Sequence, residues 1–138
     1  MINISTQNGH RIIKKWFQPY MILEYAKKSF DIIDYTFSGQ NKFEMMNNFL
    51  EELNKKDTIK FGLYMKNVNK FYLLTLKKGL SQDSDISALE NLLLKDRFGS
   101  DEIVNDNDWI EITTDTDKAF NMIDLGKAEA AFIMNLEE

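Results

Sequence analysis

The most informative pattern in the chain is its last third, Trp109–Asn135. Ile110 and Ile112 alternate with Glu111 and Thr113, the period of a half-buried strand. Thr114 and Asp115 then offer side-chain oxygens to the free amides at a helix start. Ala119, Phe120 and Ile123 recur at helical spacing and predict the buried stripe of that helix. Gly126 supplies the left-handed backbone that stops it. Ala130–Met134 is a nearly unbroken apolar run, short enough for a central strand. Strand, helix and strand in this order predict a crossover with parallel pairing of its two strands.

Upstream the period changes several times. Residues 1–9 are polar and unpatterned, which predicts a flexible lead-in to a single domain spanning 10–138. His10–Phe17 is expected to form a first strand centred on Ile12 and Ile13. Pro19 suits the first turn of a helix, with Ile22, Leu23, Ala26 and Phe30 on one face. Asp31–Phe37 reads as a strand rich in β-branched and aromatic residues, followed by turn residues Ser38–Asn41. A second helix is predicted from about Lys42, with Phe43, Met46, Leu50 and Leu53 as its stripe and Phe49 beside it. Ile59, Phe61, Leu63 and Met65 alternate with Lys60, Gly62, Tyr64 and Lys66 and predict a half-buried strand. Asn67–Lys70 makes a hairpin turn into Phe71–Leu76, an inner strand. Asp85 or Ser87 is expected to cap a third helix, Ser87 and Glu90 having capping-box spacing. Its apolar side would be Ile86, Leu89, Leu92 and Leu93, and Gly99 would close it. The acidic segment Ser100–Asp108 is the longest expected loop.

The alternation of strands and helices predicts an α+β fold: a single mixed sheet with about four helices packed on one face. The run from Glu44 to Thr113 has a partly ferredoxin-like order, helix–strand–strand–helix–strand. No internal repeat, low-complexity segment or linker is legible.

Composition narrows the class. A length of 138 residues fits one domain, and 43% hydrophobic content with ten Phe is enough for a core. The net charge of −5 argues against a nucleic-acid footprint. No apolar run reaches the roughly 20 residues of a membrane span, and the first residues lack a secretory signal pattern. The absence of cysteine excludes thiolate chemistry and fits a cytoplasmic protein.

Candidate chemistry is sparse. His10, the only histidine, stands beside Arg11 and is the one pair that could hold an anion or act near neutral pH. A partly exposed histidine at a frayed end is the plainer reading. Asp101, Glu102, Asp106 and Asp108 crowd one loop, and Asp83 and Asp85 another, without the glycine and glutamate of a calcium loop. Ser81, Ser84 and Ser87 stand in no nucleophile elbow, and no phosphate-binding glycine loop occurs. Trp16 and Trp109 could anchor a partner or pack at sheet ends. No catalytic residue, cofactor or metal ligand is indicated.

The order of several short motifs carries a resemblance. These are His10-Arg11-Ile12-Ile13-Lys14, Lys28-Ser29-Phe30-Asp31-Ile32, Phe61-Gly62-Leu63-Tyr64 and Phe71–Lys77, then Asp85–Leu89, Asp117-Lys118-Ala119, Gly126 and Ala130–Asn135. Together they resemble the later half of a bacterial and archaeal family of unknown function, the domain-of-unknown-function family ten-fifteen. Members are longer, and their first half carries an Ala-Asp-Gly-His-His-Arg motif and is similar to ParB/sulfiredoxin-type nucleotide-using domains. The resemblance implies a fragment of a serine-kinase-like phosphotransferase. Its partner would be the missing N-terminal half, with a homodimer also open. Gly9-His10-Arg11 matches the family's later Pro-Thr-His-Arg segment, with Asn8 and Gly9 in place of Pro and Thr. Leu136 replaces the proline that usually follows. On this reading His10 and Arg11 are ligand-binding residues of a cleft against the catalytic half, and the isolated chain is inactive.

Overall fold

The computed structural model describes residues 9–15, 18–55, 58–82, 84–94 and 110–135. Among the described residues six strands and four helices follow one another as β1 (His10–Ile13), α1 (Pro19–Ala26), β2 (Phe30–Thr36), α2 (Lys42–Leu53), β3 (Lys60–Met65), β4 (Lys70–Leu76), α3 (Asp85–Leu89), β5 (Ile110–Thr113), α4 (Thr116–Asp124) and β6 (Ala130–Ile133). A π-helical turn, Glu90–Leu94, continues α3. The strands form one open sheet in the order β2-β4-β3-β6-β1-β5, and every neighbouring pair is antiparallel. The α+β class stands, but the sheet is not mixed.

The expected crossover is present in altered form. β5 and β6 both pair antiparallel with β1, so they run parallel to each other with β1 inserted between them. The helix between them begins where the sequence places it. Asp115 accepts the Lys118 amide at 3.1 Å, and Gly126, at φ 72°, lets the chain turn away. β2, α2 and β3 repeat the arrangement with β4 inserted. This half keeps the split strand–helix–strand of the ferredoxin-like order, whereas β5 departs to the far edge.

Helices cover both faces rather than one. Ile22 and Ala26 of α1, with Ala88, Leu89 and Leu93 of α3 and its π turn, pack on Phe61, Leu63, Leu74 and Phe132. Phe49 and Leu53 of α2, with Ala119, Phe120 and Ile123 of α4, pack on Tyr64, Phe71, Ala131 and Ile133. Double coverage is why β3 is buried at all six residues, including Lys60, although its alternation predicts one wet face. It also turns α2: Phe49 and Leu53 face inward, while Phe43 is 71% exposed. The Phe49 ring lies so close over Gly62 that a Cβ there would collide with its Cζ, so the aromatic stack with Phe71 depends on the missing side chain. Phe30 opens β2 instead of ending α1.

An internal two-fold relationship follows from this order. β2-α2-β3-β4-α3 and β5-α4-β6-β1-α1 are the same succession of elements, if the second is read through from β6 to β1. The halves meet along the antiparallel β3·β6 pair, with α2 and α4 on one face and α1 and α3 on the other. The sequence carries no legible trace of this repeat.

Candidate functional site

Neighbouring residues in a strand point to opposite faces, and β1 applies this to its two polar residues. His10 lies on the α4 side. Its Nδ1 accepts the Met134 amide at 2.9 Å. An amide can only donate, so Nδ1 is unprotonated and the proton sits on Nε2, which donates to Thr116 Oγ1 at 2.8 Å. The ring is 1% exposed. Burial, reinforced by the neighbouring Arg11 charge, lowers its pKa to about 4 against a weaker opposing pull from Asp115. The expected partly exposed histidine is therefore a neutral, doubly bonded core residue.

Arg11 lies on the other face and is fully buried. Its Nε donates to Glu90 Oε1 at 3.2 Å and Nη1 to the Gly9 carbonyl at 2.6 Å. Burial lowers the guanidinium pKa, and the Glu90 carboxylate pulls it back. Glu90 is thus engaged with β1 at the first residue of the π turn. The N-cap of α3 is Ser84, which accepts the Ser87 amide at 3.1 Å, so neither Asp85 nor a Ser87–Glu90 box starts the helix. Asp85 instead accepts the Lys60 amide at 3.3 Å, and partial burial raises its pKa. His10 and Arg11, adjacent in sequence, do not line one cleft: the sheet stands between their side chains.

A second polar cluster joins residues far apart in sequence. Tyr64 of β3 donates its hydroxyl to Asp124 Oδ1 at 2.5 Å, and Lys42 Nζ donates to the same oxygen at 2.6 Å. Lys42 also lies 5.4 Å from the Tyr64 ring centroid and 5.5 Å from that of Phe37, within cation–π range. Burial pushes the Tyr64 phenol up, and its bond to Asp124 adds to the shift. Burial opposes the Lys42 charge, but its bonds to Asp124 and Tyr64 outweigh that and raise its pKa. The ammonium and carboxylate are about one-third exposed. The cluster fastens the start of α2 to the end of α4 across the internal two-fold. Exposed Phe43 follows Lys42 in α2, and exposed Leu125 follows Asp124 just past the end of α4. No local pattern announces this trio, because its members are distant and each is ordinary in its own element.

Among the described residues no three histidine or acidic side chains converge as metal ligands. Asp83, the acidic positions Asp101, Glu102, Asp106 and Asp108, and both tryptophans lie outside the described residues, as does the expected helix stop at Gly99. Ser81 is exposed within the β4–α3 connection. No described helix is long and apolar enough to cross a membrane. No family model matches the chain, and no curated protein or solved structure matches it either.

Proposed function

We propose that this chain is a non-catalytic accessory domain that works by packing against a partner. The reading is supported chiefly by the state of its only histidine. His10 is sealed in the core, held neutral, and bonded at both ring nitrogens, so the side chain best suited to proton transfer near neutral pH is committed to structure. The motif resemblance gives the partner a chemistry, the nucleotide-using half of a serine-kinase-like phosphotransferase. The test is direct: the purified chain is incubated with free serine and either ATP or pyrophosphate. No phosphoserine is expected, and turnover above a protein-free control would overturn the accessory role.

A second reading, a self-contained protein-binding or dimerisation module, is favoured by a separate observation. Tyr20 and Phe43, each 71% exposed, and Leu125 place large apolar groups on the outside at the ends of three helices. Scattered apolar exposure is ordinary, and the edge of β2, which no described strand covers, gives this reading a definite form.

A further inference from the structure

We infer that the open edge of β2 is a self-association site, where a second copy of the chain adds its own β2 antiparallel about Ile33. This deepens the binding-module reading and is independent of any catalytic partner. β2 pairs with β4 along all seven of its residues without a bulge, and no described strand lies on its other side. The direction of its free groups follows from the flanking bonds. Phe37 donates its amide to the Asn69 carbonyl at 3.0 Å, and the Ser29 carbonyl accepts from Lys77 at 3.0 Å. Odd-numbered residues therefore turn their backbone groups to β4. Backbone direction alternates along an antiparallel strand, so Phe30, Ile32, Asp34 and Thr36 turn theirs outward.

Natural edge strands are protected by lysine, proline, bulges or shortness. β2 is seven residues long and regular, and holds no lysine or proline. Its centre is Ile33, 54% exposed on the face that α2 covers only farther along, over Tyr35 and Phe37. The only charges are Asp31 and Asp34, and Asp34 already pairs with Lys70 of its own chain at 3.0 Å.

The register follows from face and charge. A two-fold axis normal to the sheet keeps each face continuous. Centred on Ile33, it opposes Ile33 to its copy, Ile32 to Asp34, Asp31 to Tyr35 and Phe30 to Thr36. All seven residues are used, and no carboxylate meets another. Centring on Asp31 or Asp34 would oppose like charges, which destabilises a cross-strand pair. In the chosen register the outward groups of Ile32 and Asp34, and of Phe30 and Thr36, face each other as hydrogen-bonded pairs. The two Ile33 side chains meet at the closer, non-hydrogen-bonded position. Strand addition of this kind takes its affinity from main-chain bonds. The chain already joins its own halves in the same manner at β3·β6.

Sedimentation of the full chain over a concentration series tests this, with Ile33→Lys and Asp34→Pro in parallel. Proline at 34 removes an outward amide and leaves the β4 ladder intact. The wild type is expected to double in mass as concentration rises, and both variants to dissociate at least about tenfold more readily. Hydrogen exchange on the wild type reads the same edge without any substitution. The amides of Ile32, Asp34 and Thr36 should slow as the dimer fills, while those of Ile33 and Tyr35 stay as they are. A wild type that stays monomeric, or a dimer that leaves those outward amides unchanged, overturns the proposal. Neither result bears on the serine turnover assay, so the two readings fail separately.

Discussion

His10 accepts the amide hydrogen of Met134 across 124 positions of sequence and so ties the first strand to the end of the last. The bond requires the neutral ring. The folded pKa of about 4 lies below the ordinary 6.5, so the unfolded chain takes up a proton first as pH falls. This contribution to stability is complete above pH 6.5 and is lost as pH falls through 4, amounting to about 3 kcal/mol at its largest. Urea unfolding at pH 7, 5 and 4 should show the wild type losing stability faster than His10→Gln, which has no such titration. Parallel pH profiles would contradict this account.

The Arg11–Glu90 pair is fully desolvated, and its two members should be worth more apart than together. Arg11→Met or Glu90→Leu alone removes the opposite charge from a buried ion and is expected to cost about 3–5 kcal/mol. The double substitution should cost less than the sum of the two singles. A double-mutant cycle by denaturant unfolding decides it, additivity being the result that denies the coupling.

Gly62 is a packing position. Gly62→Ala drives a methyl into the Phe49 ring and should destabilise by about 1–3 kcal/mol. Adding Phe49→Leu to Gly62→Ala should recover part of that loss relative to Phe49→Leu alone. If the two changes simply add in thermal unfolding, the close approach is not the cause.

The charged ends of the Lys42–Tyr64–Asp124 fastening are about one-third exposed, so it should matter less. Tyr64→Phe deletes one hydrogen bond to Asp124 while keeping the ring, an expected loss of about 1 kcal/mol. Asp124→Asn should lower the stability by a similar amount and make it less sensitive to salt, because the Lys42 pair is then gone. Salt titrations of the unfolding midpoint check both.

Elements were legible from sequence where local chemistry decides them. The cap at Asp115, the stop at Gly126 and the turn at Asn67, with its φ of 64°, are set by residues within a few positions. What the period could not reveal was how many layers lie over the sheet. β3 alternates as if one face were wet, yet α2 and α4 cover that face, and Lys60 is buried with the rest. Strand order was equally hidden, since nothing in Ile110–Thr113 or Ala130–Ile133 signals that β1 lies between them. At the candidate site, strand parity sends His10 and Arg11 to opposite faces, against the single cleft that the resemblance implies. Their burial depends on α4 and on the turn after α3, which only the assembled fold supplies.

The internal two-fold has a consequence for connectivity. β6 and β1 lie side by side as β3 and β4 do, but the latter pair is joined by a tight reversal and the former is bridged by the whole of the intervening polypeptide. Tethering Asn135 to Gly9 with a few glycines, and cutting open the reversal at Asn67, should give a rewired polypeptide that reaches the same shape, its ends moved from one half to the matching point of the other. Backbone order would then be incidental to the body it builds.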